Sequence, residues 1–182
     1  ANITSDQPNT NDLLVGRGSG TTGTVNHSVN ATHNANQWQF IGVGGGSGTV
    51  NVSAGNFNQT VGAGRNTRIG DADGTGLTST GVFSLSGSSS ADWDGVSIGR
   101  DAGGSGTMNH TSSGLVSTWT TNIGVNGGAG TYTQSAGTHR PDREANIGAS
   151  GGSGTYLISG GTHQSSRNTT IGNGTGSTGY VE

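Results

Sequence analysis

A hydrophobic residue followed by glycine recurs along the whole chain. The pairs begin at Val15, Ile41, Ile69, Ile98, Ile123, Ile147 and Ile171, and their spacings are 26, 28, 29, 25, 24 and 24 residues. A period of about 25 residues is typical of solenoid proteins, in which each repeat forms one coil. We therefore predict that these seven β-branched residues stack as an aliphatic ladder inside a solenoid, here called the anchor ladder.

Each pair is followed by a Gly/Ser turn and then by a segment of alternating polar and apolar residues, such as GGSGTMNHTSSG at 103–114. Alternation is typical of a strand with one buried face. It predicts a second inward ladder of Val25, Val50, Phe83, Met108, Tyr132 and Tyr156, with Val52, Leu85 and Ile158 two residues later on the same face. The threonines of the Gly-Thr corners are predicted to point outward: Thr49, Thr107, Thr131 and Thr155. Trp38, Trp93 and Trp119 are predicted to close a corner.

Composition alone would indicate disorder, because 38 of the 182 residues are glycine and only 26% are hydrophobic. The regular spacing of the seven repeats argues against disorder. The glycine and β-branched content disfavours helical repeats, and the scarcity of leucine disfavours leucine-rich repeats. We predict an all-β fold: one β-solenoid domain over 1–182, of about seven coils of 24–29 residues each. Residues 1–13 would form a half-coil, 14–178 the repeats and 179–182 an unfinished terminal strand.

The unit IGxxGGSGTxxxSGG resembles the repeat of autotransporter passenger regions and of PEP-CTERM-associated bacterial surface proteins, and the resemblance covers residues 14–182. It implies a right-handed parallel β-helix, secretion to the cell surface, and a structural or adhesive role. The N-terminal Ala-Asn-Ile-Thr also suits the mature side of a signal-peptidase cleavage site. The expected location is therefore extracellular.

The two ends of the chain look like parts of one coil. The joined ends, GYVE followed by ANITSDQPNTNDLLVG, span 20 residues, and the internal unit GTYLISGGTHQSSRNTTIG spans 19. Neither terminal segment carries an evident cap, and uncapped strand edges template further pairing. We therefore expect a homopolymer that assembles head to tail, as a building block of an extracellular filament or matrix. Its interface would comprise Ala1, Asn2, Ile3, Thr4, Tyr180, Val181 and Glu182. The alternative is a piece of a longer protein: the rigid stalk of an autotransporter-like adhesin.

Charge and cysteine content narrow the set of partners. The net charge is −3, all seven basic residues are arginine, and cysteine is absent. These features exclude a basic nucleic-acid surface, disulfides and a cysteine-based zinc site. The sequence has no apolar run long enough for a transmembrane helix, so membrane insertion is not expected. We expect no cofactor, and surface glycans are the second candidate partner.

Two groups of carboxylates are candidates for chemistry. Asp71, Asp73 and Asp101 follow their Ile-Gly anchors, and GDADG at 70–74 resembles part of a calcium loop. The preferred interpretation is a solvated acidic turn in an insertion. Asp92 and Asp94 flank Trp93 and would join the first group in a polysaccharide-cleaving site, the remote alternative function. No long cleft-forming loop is evident, so we predict that the chain is not an enzyme.

Three histidines share one position in the repeat. His33, His139 and His163 each stand eight residues before an anchor and follow a threonine. Phe57 and Val116 occupy the same place in other coils, which favours a packing column of neutral imidazoles over a metal site. The other two histidines, His27 and His110, are interpreted as solvated or partly buried.

Overall fold

The computed structural model of the chain describes residues 2–3, 7–10, 12–59 and 65–182, with the backbone alone described for 2–3 and 7–10. All regular structure in these residues is β, arranged as parallel sheets. The predicted all-β solenoid of about seven coils is confirmed. Within the described part of the chain, no helix is long and apolar enough to cross a bilayer.

The first sheet contains the strands that follow the Gly/Ser turns. Its eight strands run, in spatial order, β1 (Asn2–Ile3), β4 (Thr22–His27), β7 (Ser47–Val52), β10 (Ser79–Leu85), β12 (Gly104–His110), β14 (Ala129–Gln134), β16 (Ser153–Ile158) and β19 (Thr178–Val181). Each strand pairs with the strand one coil away in the chain. With strands about 4.8 Å apart, the sheet is about 35 Å long along the solenoid axis.

The other two faces of the coil merge towards the C-terminal half. The second sheet contains β2 (Gln7–Thr10), β5 (Thr32–Ala35) and β8 (Asn56–Gln59), and the third contains β3 (Leu13–Arg17), β6 (Gln39–Val43), β9 (Asn66–Asp71), β11 (Ala91–Arg100), β13 (Leu115–Val125), β15 (Thr138–Ala149), β17 (Thr162–His163) and β18 (Thr169–Asn173). An isolated bridge from Asn56 to Ser90 links β8 to the start of β11. The early parts of β11, β13 and β15 thus continue the second face, and their later parts form the third.

The anchor ladder lies in the third sheet. Its seven members pair in register from Val15 to Ile171. Six of them are at most 3% exposed, whereas Ile171 in the last coil is 51% exposed. The second ladder, on the first sheet, is also in register, runs from Val25 to Tyr156 and is buried throughout. The core is therefore a narrow column between facing ladders.

Glycine after each of the first six anchors permits the close approach of neighbouring coils. Gly99 has a φ of 67°, in the left-handed region. A Cβ atom at this position would overlap the backbone carbonyl oxygen of Ala129 in β14, the first-sheet strand of the next coil. The position therefore requires glycine for its conformation and for space.

One coil is longer than the sequence predicts. The third sheet keeps the 24–29-residue spacing, but Ser47 pairs with Thr80 on the first sheet, so this coil takes 33 residues there. The extra residues form a loop at 72–78 between β9 and β10, which contains the exposed Leu77. Insertions are tolerated at such corners because they leave the ladders intact.

Candidate functional site

The C-terminal coil ends in an open sheet edge. Thr178 N donates to Gly152 O and Glu182 N donates to Tyr156 O, so these groups face the preceding coil. Successive residues of a strand direct their backbone groups to alternate sides, which turns those of Gly179 and Val181 towards the open edge. The sequence-predicted residues Tyr180, Val181 and Glu182 therefore lie at an unpaired edge of the described structure.

The same coil exposes apolar surface that is buried elsewhere. Val181 pairs with Tyr156 and so continues the second inward ladder, yet it is 38% exposed. Ile171 continues the anchor ladder and is 51% exposed, compared with 0% for Ile147 one coil below. Tyr180 is 51% exposed. No segment that the structure describes covers these three side chains, which we call the open apolar end.

A small cavity adjoins the open apolar end on the first sheet. It has a volume of about 390 Å³ and is lined by Thr133, Leu157, Ile158, Ser159 and Glu182. Leu157 pairs with Thr133, so an apolar side chain replaces a polar one in this column as the chain approaches its last coil.

The N-terminal end differs from the C-terminal end. Asn2 and Ile3 pair with Asn26 and His27 in β4, whereas Ala1 and Thr4 lie outside the described residues. Val15, the first member of the anchor ladder, is only 3% exposed. Leu14, next to it in β3, is 50% exposed, so exposed apolar side chains occur at both ends of the described chain and are more numerous at the C-terminal end.

The two ends occupy equivalent positions around the coil. Asn2 pairs with Asn26, and Asn26 pairs with Asn51, so these residues lie in one column of the first sheet. Backbone hydrogen bonds between Glu182 and the residues on either side of Leu157 place Glu182 in the same column, seven coils after Asn2. Both ends of the described chain therefore reach the same column of the first sheet.

The carboxylates proposed as calcium ligands form ion pairs with arginines. Asp71 Oδ2 lies 3.0 Å from Arg68 Nη1 and 3.4 Å from Arg100 Nη1, and Arg68 also contacts Asp73 at 2.9 Å. The side chain of Asp71 is 0% exposed, so the prediction of a solvated acidic turn was wrong for this residue. Burial raises the pKa of Asp71, whereas a hydrogen bond from Asp73 N and the two guanidinium groups oppose that rise. The arginines supply the positive charge that a cation would bring.

The second carboxylate group lies elsewhere. Asp92 is exposed on the early part of β11, and Asp94 Oδ2 accepts a hydrogen bond from Arg65 N. Arg100, which contacts Asp71, stands six residues after Asp94 on the same strand, a separation on the order of 15–20 Å. The structure therefore does not bring Asp92 and Asp94 together with the other carboxylates as a cleaving site would require.

The histidine column is in register, with His33 and His139 buried and His163 half-buried. His33 pairs with Phe57, Val116 pairs with His139, and His139 pairs with His163 at a ring-centroid distance of 5.0 Å. Burial lowers the pKa of His33 to about 4, assisted by the nearby His27, and lowers that of His139 well below its ordinary value. These imidazoles are therefore neutral at pH 7. No group of three or more potential metal-binding side chains occurs among residues 12–59 and 65–182.

Hydrogen bonds define the protonation of His139. Tyr156 Oη donates to Gln134 Oε1 at 2.5 Å, so its contact with His139 Nδ1 at 3.0 Å requires the imidazole to donate. His139 Nε2 then accepts from Thr121 Oγ1 at 2.9 Å. Every polar atom of this buried ring has a partner.

His27 and His110 are 0% exposed, so they are fully buried and not solvated or partly buried as expected from the sequence. Their columns are the ones that contain Val52 and Leu85, which the sequence places inside. The alignment of the repeats therefore contained the information that these two histidines point inward.

The aromatic and threonine predictions have mixed outcomes. Trp93 is buried and its Nε1 donates to Phe57 O at 3.0 Å, whereas Trp119 is 47% exposed beneath the guanidinium of Arg143. Thr118 and Thr120 bracket a register irregularity at Trp119. The predicted threonine column forms, but its members are half-buried. Val82 interrupts the column, and Tyr180 ends it.

Comparisons with protein-family models, curated proteins and solved structures gave no match for the chain. The function is therefore argued from the geometry of the solenoid and its ends.

Proposed function

We propose that the chain is a structural building block that stacks head to tail into an extracellular filament or matrix. The observation that carries the proposal is the open apolar end. There, two inward ladders finish in exposed side chains, Ile171 and Val181, beside unpaired backbone groups of β19. A second copy of the chain is the occupant, because its N-terminal strands continue the same columns on each face.

The energetic gain comes from two sources. Fully burying an aliphatic side chain contributes roughly 1.5–3 kcal/mol, so completing the burial of Ile171 contributes about half of that. New coil-to-coil hydrogen bonds add about 1 kcal/mol each, and they satisfy the edge groups of the last coil. A heterologous contact that does not close on itself produces an open filament.

The resemblance of the repeat to bacterial surface proteins supports the extracellular location. The chain has no cysteine and is poor in charged residues, at 9%. This composition suits a scaffold held together by backbone hydrogen bonds.

The proposal is tested by placing a charge in the open apolar end. We expect the wild-type chain to give concentration-dependent species larger than a monomer in sedimentation velocity. Ile171→Lys should abolish them, because stacking would bury an unpaired ammonium. The side chain is half exposed in the isolated chain, so the monomer should retain its fold and its circular dichroism spectrum.

Leu77→Lys is the matched control, since Leu77 is 44% exposed but lies on the 72–78 loop away from both ends. It should assemble like the wild type. A wild-type chain that stays monomeric at every concentration, or equal loss of assembly in both variants, would refute the proposal. Single rods throughout would favour the adhesin stalk.

A further inference from the structure

A polar groove runs along the outer surface of the third sheet. It has a volume of about 410 Å³, and its lining includes Arg68, Ser97, Arg100, Asn122, Asn146 and Asn173. These residues come from five successive strands, β9, β11, β13, β15 and β18. We call this feature the amide groove.

The shape of the amide groove selects a long ligand. Arg68 pairs with Ser97, Ser97 with Asn122, and Asn122 with Asn146, so these side chains form one column along the solenoid axis. At about 4.8 Å per coil, five coils extend over roughly 20 Å. A linear chain of several units matches this length better than a compact molecule does.

The charges in the amide groove are balanced. Arg68 and Arg100 both contact Asp71, and Arg68 also contacts Asp73. Their guanidinium charges are therefore neutralised within the protein, and the groove offers no net attraction for an anionic polymer.

The hydrogen-bonding groups of the amide groove match hydroxyls. Asparagine both donates and accepts, as does a sugar hydroxyl, and Asn146 Nδ2 already donates to Asn122 Oδ1 at 3.0 Å, which fixes the orientation of the two amides. Val125 and Ala149 add small apolar surfaces to the same lining. Binding sites for small polar ligands combine such apolar contacts with a few oriented polar groups.

We propose that the amide groove binds a neutral, hydroxyl-rich linear polymer, a polysaccharide strand lying parallel to the solenoid axis. Filaments built from this chain would then carry one such site on each subunit and cross-link a polysaccharide matrix. The site itself is complete within one chain and does not depend on assembly.

Affinity electrophoresis through gels containing hydroxyethyl cellulose, galactomannan or dextran tests this proposal, with polygalacturonate as the anionic comparison. We expect at least one neutral polymer to retard the chain, with little retardation by polygalacturonate. Calorimetry with oligosaccharides of the retarding polymer should show at least tenfold tighter binding of a hexasaccharide than of a disaccharide, because the longer ligand spans more coils.

Asn122→Ala and Asn146→Ala should each weaken binding fivefold or more. Asn51→Ala is the matched control, because Asn51 Nδ2 donates to Asn26 Oδ1 at 2.9 Å in an equivalent stacked pair on the first sheet. Binding should persist in the Ile171→Lys variant, which separates this proposal from assembly. The proposal is overturned if no neutral polymer retards the chain, if polygalacturonate binds more tightly, or if Asn51→Ala weakens binding as much as Asn146→Ala.

Discussion

Buried histidines of the same column have opposite hydrogen-bonding environments. His139 satisfies both ring nitrogens, whereas neither nitrogen of His33 has a partner among the residues that the structure describes, although the ring is only 2% exposed. An unpaired buried polar group costs roughly 1–3 kcal/mol. The sequence offset from the anchors predicts the column, but it carries no information about which ring finds partners, because those come from other coils.

Replacing His33 with leucine, of similar volume, should therefore stabilise the chain at pH 7.5 by about 1–2 kcal/mol. The effect should be larger at pH 4.5. Unfolded histidine has a pKa near 6.5, and burial lowers the pKa of folded His33 to about 4. Wild-type stability is thus fully present above pH 6.5 and decreases as the pH falls towards 4, by at most about 3 kcal/mol for this group.

Guanidinium unfolding at both pH values measures these differences. Some pH dependence should persist in the variant, because burial also lowers the pKa of His110 and His139. His139→Leu is the control: it should destabilise the chain at pH 7.5, since it removes the hydrogen bonds that this buried ring makes with Tyr156 Oη and Thr121 Oγ1. Destabilisation by His33→Leu with an unchanged pH dependence would contradict this interpretation.

At the scale of strands and corners, the sequence predicts which residues stack between coils better than it predicts how the strands continue around the corners. Ile-Gly pairs and alternation give the ladders of the first and third sheets and their register. The merging of two faces in β11, β13 and β15 was not predicted, because a strand that continues around a corner has the same local alternation as two separate strands. The ion pair between Asp71 and Arg100 was missed for a related reason, since Arg100 comes from the next coil.

The corner glycines give a test at this scale. Gly99→Ala combines a left-handed conformation with an overlap on the Ala129 carbonyl oxygen, so it should cost roughly 3–5 kcal/mol. Gly74→Ala has nearly the same φ, 68°, but no atom within 4 Å of the added Cβ, and should cost only about 1–2 kcal/mol.

Thermal or denaturant unfolding of the two variants separates conformational strain from steric overlap. Equal destabilisation would show that the close approach of coils contributes nothing at Gly99. A larger destabilisation by Gly99→Ala than by Gly74→Ala would show that the close packing of neighbouring coils at Gly99 contributes to stability.

At the scale of the whole molecule, the two ends of the solenoid expose different surfaces. Val15 is buried at the N-terminal coil, and Ile171, Tyr180 and Val181 are exposed at the other. Such asymmetry suits a heterologous contact, in which one surface meets a different one. The head-to-tail interface stays a prediction from the lengths of the end segments. The exposure of Ile171 required the structure, because an anchor at the last coil has the same sequence context as a buried one.

Electron microscopy of the purified chain over a range of concentrations tests the central claim most directly. Head-to-tail stacking predicts filaments much longer than the roughly 35 Å of one solenoid, with an uninterrupted axial spacing of about 4.8 Å across subunit junctions. Rods that keep the length of a single chain at the highest concentration would contradict the claim.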